Sequence, residues 1–130
     1  MSKDVQVQVL SWVPDMNDKT LKRISKLIKK EPKTVQQLIA KLFEEGGELA
    51  AEILKRDGVK GSSGKTAKQI DANILEEATD VMMIAMAIVG KKGYTLNDMF
   101  DVMERKLDKW RNVMKSIPEW KRNMKVKKKR

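Results

Sequence analysis

The segment KLFEEGGELAAEI, residues 41–53, has the apolar spacing of a helix and two features that helices avoid. Gly46 and Gly47 stand side by side, and each glycine costs about 1 kcal/mol relative to alanine in a helix interior. Glu44, Glu45, Glu48 and Glu52 crowd into the same short stretch. Projected at 100° per residue, Val35, Leu38, Ile39, Leu42, Leu49 and Ile53 fall within about 60° of one direction. Gly46 lies in that stripe, where a missing side chain lets another backbone come close. Glu45 sits at the edge of the stripe, Glu48 and Glu52 continue along the same flank, and Glu44 points nearly opposite.

Outward from this segment, Pro32 and Thr34 open the helix and Asp57-Gly58 stops it near Arg56. The stretch GVKGSSGK (58–65) is a loop by composition. Upstream, Asn17 or Asp18 caps a short helix over about 19–30, with Leu21, Ile24, Leu27 and Ile28 as its stripe. The alternation VQVQVL (5–10) suits a short strand but stands alone. Downstream, a helix runs from about Ala67 to Val89 and ends at Gly90. Thr95-Leu96-Asn97-Asp98 resembles a capping box with Asp in place of Glu. It opens a last helix carrying Leu96, Met99, Phe100, Met103, Leu107, Trp110 and Met114. Four helices without a sheet predict an all-α four-helix bundle, one domain over residues 1–118.

The third helix carries the sharper signal. Ile70, Ile74, Val81, Ile84 and Ile88 define its stripe, and Glu77 falls in the middle of it. A lone ionised carboxylate in an apolar seam is costly unless a cation or donor stands opposite. Asp80 lies one turn on, at the flank of the same face. Met82, Met83, Ala85 and Met86 leave the helix apolar nearly all round, which predicts a central position. Two helices thus each offer carboxylates at i, i+3: Glu45 with Glu48, and Glu77 with Asp80. Packed antiparallel, they bring four anions together, and all-oxygen ligation of this kind selects Mg2+ or Mn2+. The bland reading of each pair alone is a solvated face or a salt bridge.

Composition narrows the chemistry. With no histidine and no cysteine, Ser-His, Cys-His, zinc and disulfide chemistry are excluded, leaving carboxylates, amines, hydroxyls and hard cations. The net charge is +10 over 130 residues, but seven of the 28 basic residues fall in the last ten, KRNMKVKKKR. The rest carries 21 basic against all 18 acidic side chains. The charge is therefore mostly a tail (119–130), expected to be disordered and solvated, with polyanion binding as the sharper alternative. The longest apolar run, VMMIAMAIV (81–89), is far short of a membrane span. The N-terminus lacks the pattern of a signal peptide, and a soluble, cytoplasmic protein is expected.

EEGGE (44–48) followed by EATD (77–80) is similar to the E-E-x-x-E … E-x-x-D signature of the MazG-like all-α nucleoside triphosphate pyrophosphohydrolases. This superfamily includes dimeric dUTPases, dCTP pyrophosphatases and phosphoribosyl-ATP pyrophosphohydrolases. LEEATDVMMIAMAIV resembles its second motif helix, and ERKLDKWRN (104–112) its later basic segment. The resemblance covers about residues 35–112, with a rather long spacer of 28 residues between Glu48 and Glu77. It implies a bundle of the all-α NTP pyrophosphatase type that assembles as a homodimer or homotetramer. It also implies Mg2+-dependent cleavage of a (d)NTP to (d)NMP and pyrophosphate, in nucleotide-pool sanitation or dNTP turnover. By motif position Glu45, Glu48, Glu77 and Asp80 are metal ligands, and Glu44 or Glu45 accepts a proton from water. Lys106, Lys109 and Arg111 match basic positions that contact phosphates. Trp12, Trp110 and Trp120 are expected to pack, with base stacking the alternative. The rival functions are a phosphoribosyl-ATP pyrophosphohydrolase-like enzyme and a non-enzymatic basic helical protein that binds nucleic acid.

Overall fold

The structure is a computed structural model that describes residues 19–121. Asn17, Asp18, Trp12, the alternating segment 5–10 and the basic residues 122–130 lie outside the described residues. Among the described residues four long helices follow in order: α1 (Leu21–Lys30), α2 (Val35–Arg56), α3 (Ala67–Lys91) and α4 (Leu96–Ser116). Among the described residues there is no strand, and the chain is all-α. Among the described residues, no helix is long and apolar enough to cross a membrane.

The helix ends follow from local chemistry. Thr34 caps α2 and Thr66 caps α3, each in a reciprocal capping box with the Gln three residues on. Each box satisfies two backbone donors that the first turn leaves free. At the end of α2, Gly58 takes φ +76°, and the Val59 and Gly58 N–H groups bond the carbonyls of Leu54 and Lys55. At the end of α3, Gly93 takes φ +88°, and the Tyr94 and Gly93 N–H groups bond Val89 and Gly90. Both are Schellman endings, which need a residue at ease in the left-handed region.

Gly90 therefore does not end α3, as the sequence suggested, and its role is packing. A Cβ there would run into the side chain of Ile28 on α1. The reverse holds at Gly46, where the sequence suggested close approach of a backbone. A Cβ on Gly46 or Gly47 would meet nothing within 4 Å.

The chain divides into two units, residues 1–96 and 97–130. In the first, α3 is central and packs on both α1 and α2. Its buried apolar residues are Leu38, Ile70, Met86, Ala87 and Leu96. On α2 the buried line is Leu38, Glu45 and Glu52, at heptad spacing. The apolar stripe read from the sequence is only partly covered, since Ile39 and Ile53 are exposed. The packing face is turned toward the acids. Glu52 is satisfied there: its Oε1 accepts from Lys55 Nζ at 3.0 Å and its Oε2 from Asn73 Nδ2 at 3.4 Å.

The second unit is α4 with the turn that follows it. Its stripe residues Met103, Leu107, Trp110 and Met114 are exposed. Trp110 and Trp120, expected to pack, are 63 % and 67 % exposed. Residues 119–121, the start of the expected disordered tail, form a helical turn.

Candidate metal centre

α2 and α3 pack against one another along their length. Their packing places Glu45, one turn before Glu48, against Glu77 of α3. Carboxylate oxygens of Glu45, Glu48 and Glu77 all lie within 4.8 Å of one another. Glu45 is buried, Glu77 half-buried and Glu48 exposed, so the cluster opens to solvent on one side.

Two opposite electrostatic effects meet here. Burial pushes the Glu77 carboxyl above the ordinary carboxylate range, and the charges of Glu48, Glu45 and Asp80 push the same way. Glu77 Oε2 is shut off from solvent with no hydrogen-bond partner. Glu45 is held below the ordinary range, chiefly by Lys41, whose Nζ stands 2.9 Å from Glu45 Oε1. The same ammonium donates to Glu44 Oε1 at 2.7 Å, and its two acidic partners, Glu44 first, raise its own pKa.

Of the four residues expected as ligands, three come together. Asp80 stands apart from the trio; it lines the adjoining cavity with Glu45 and Lys41, and reaches Glu77 through its charge. Glu44 is exposed and paired to Lys41, on the rim and outside the cluster. Lys106, Lys109 and Arg111 are exposed on α4, and Arg111 Nη2 pairs with Asp108 Oδ1 at 3.1 Å.

Lys41 is the site residue that sequence reasoning missed. Its spacing to Glu44 and Glu45, i, i+3 and i, i+4 on one helix, is the signal that marks it. The cluster fits a hard divalent cation on its donor set and on the orphaned Glu77 oxygen, because Lys41 pairs with only one of the three convergent carboxylates and a buried Glu77 oxygen is left without a partner. No protein-family model, curated protein or solved structure matches this chain.

Proposed function

We propose that the chain is a Mg2+-dependent nucleoside triphosphate pyrophosphohydrolase of the MazG-like all-α type, cleaving a (d)NTP to (d)NMP and pyrophosphate. The observation that carries this reading is the partnerless, solvent-excluded Glu77 Oε2 inside a three-carboxylate cluster built by two helices. It joins the order and spacing of the two acidic motifs, 44–48 and 77–80. Glu45, Glu48 and Glu77 would hold Mg2+ or Mn2+, with Asp80 on the flank toward the cavity. Bound there, the cation supplies the charge that lets a polyanionic substrate approach four acids and polarises the phosphoryl group. Glu44 and Glu45, both paired to Lys41, would be the carboxylates that take a proton from water. Lys106, Lys109 and Arg111 keep the phosphate-contacting role that the resemblance implies.

Self-association belongs to the same reading. On α2, helical projection puts Ile39, Phe43, Gly46, Ala50, Ile53 and Leu54 on a strip roughly 130° round from the buried line. Phe43 is 77 % exposed in it. On α3, Leu75, Ala78, Met82 and Ala85 form a strip at a similar angle from the side that meets α1, and Leu75 is 71 % exposed. A second copy of the chain packed on these strips completes the bundle and gives the open space at Gly46 an occupant.

The test is a screen for pyrophosphate release over canonical and modified NTPs and dNTPs, with and without Mg2+. Release from at least one of them, lost by about a hundredfold or more in Glu77→Gln, is expected. Silence across the panel, with polyanion binding that depends on residues 121–130, would instead identify a nucleic-acid binder.

A further inference from the structure

A cavity of about 580 Å3 lies between α1, the α1–α2 link, α2 and α3, a size common among small-molecule sites. Glu45 belongs both to its wall and to the carboxylate cluster, and Asp80 stands in the same wall. From this end the cavity runs back to Leu38 and Ala87. Glu45 and Leu38 are two helical turns apart, so the run is about 10 Å at 1.5 Å per residue. That length suits a nucleoside between its base edge and its 5′ oxygen. Ile24, Leu27, Met83 and Ile84 supply apolar wall, the surface a flat heteroaromatic ring needs on its faces, and Lys41 stands in the wall between Leu38 and Glu45.

The far end is charged. The α1–α2 link brings Glu31 and Lys33 into the wall, beside Lys30. Glu31 Oε1 accepts from the Lys33 backbone N–H at 2.9 Å and from Lys33 Nζ at 3.4 Å. No hydrogen bond among the described residues engages the other oxygen, Oε2. The Lys33 backbone N–H, first among its partners, keeps the Glu31 carboxyl below its ordinary range. An ionised carboxylate only accepts hydrogen bonds.

Resting on the hydrolase reading of the neighbouring cluster, we infer that this cavity receives the nucleoside part of the substrate and that Glu31 selects bases bearing an exocyclic amino group. The amino group of cytosine or adenine donates to Glu31 Oε2. The carbonyl of uracil or thymine in its place sets one acceptor against another, leaving both unpaired.

The full chain with Mg2+ tests this, using the non-hydrolysable α,β-imido analogues of dCTP and dUTP for binding and the parent nucleotides for turnover. The dCTP analogue is expected to bind about tenfold more tightly, and Glu31→Gln to bring the two within about threefold. The methyl resonance of Met83, assigned with Met83→Leu, is expected to move when the dCTP analogue is added. A preference for uracil, as when Lys30 reads the base edge, overturns the role of Glu31, and so does a ratio unchanged in Glu31→Gln. Binding that leaves Met83 unmoved overturns the placement. If the analogue moves Met83 and dCTP is never cleaved, the cavity assignment stands and the hydrolase reading falls. If neither analogue binds, both fall.

Discussion

A carboxylate oxygen shut away from water with nothing to bond, as at Glu77 Oε2, destabilises its surroundings in proportion to its charge. Burial, then Glu48, raise the Glu77 pKa, so the folded chain holds a proton there that the unfolded chain has released. Above the ordinary glutamate pKa this group's contribution to stability therefore falls as pH rises, until the folded carboxyl has also ionised. A divalent cation at the cluster competes with that proton. Mn2+ affinity, followed by calorimetry from pH 5 to 8, is expected to strengthen with pH and to release protons. Glu77→Gln should weaken it by about tenfold or more and flatten the pH dependence. In EDTA the same variant should melt higher than the parent, since the amide carries no charge to desolvate. A lower melting temperature with unaltered Mn2+ binding would show that Glu77 serves packing alone. Gly90 presents the steric counterpart. Gly90→Ala gains about 1 kcal/mol of helix propensity but drives a Cβ into Ile28, and overpacking of that kind costs about 1–3 kcal/mol. Denaturant melts should show a net loss, relieved when Ile28→Ala is added.

At the scale of elements, what was legible in the sequence was the punctuation. Thr34 and Asp57-Gly58 mark both ends of α2, and α3 starts at Ala67 as expected, because caps are short-range chemistry and need no neighbour to explain them. The other end of α3 runs on to Lys91. The convergence of Glu45, Glu48 and Glu77 was legible for a related reason: i, i+3 spacing on two consecutive helices survives small errors in rotation. The rotation itself was not legible. Projection finds where the apolar residues are, whereas α2 buries Glu45 and Glu52 against α3 and leaves Ile39 and Ile53 exposed. Within the chain Gly90, not Gly46, faces a neighbouring helix, and composition cannot say which glycine does. Glu52 shows why an acid is tolerated in the seam. Lys55, first, and Asn73 hold its carboxyl below the ordinary range, so its contribution is present above that range and disappears as pH falls through the lowered folded pKa. Lys55→Met should lower the melting temperature at pH 7 relative to the parent, and the gap should close in acid. A gap that persists when Glu52 is protonated would locate the loss in the lysine's packing instead.

For the whole molecule the decisive quantity is how little of its apolar surface one chain covers. Only five apolar residues are buried among those described, and no side chain falls below 2 % exposed. Phe43, Leu75, Met82, Ile39 and Leu54 are all exposed, and large apolar side chains that share an exposed strip mark interaction surfaces. A second copy seated on the α2 and α3 strips, as proposed, would cover them, and stability would then depend on protein concentration. Sedimentation should give a dimer or tetramer for the parent and a monomer for Phe43→Glu, which places a charge in the centre of the seam. Gly46→Ala separates the fold of one chain from its assembly. A methyl at Gly46 meets open space within the chain, so helix propensity alone should stabilise the monomer by about 1 kcal/mol. In the proposed assembly that methyl would occupy space the partner needs, and the dissociation constant should rise. Introduced into the Phe43→Glu monomer, Gly46→Ala should therefore raise the melting temperature, while in the parent it should loosen the oligomer. A gain of stability in both backgrounds, with the oligomer intact, would place the partner elsewhere and leave α2 with a solvent-facing glycine pair.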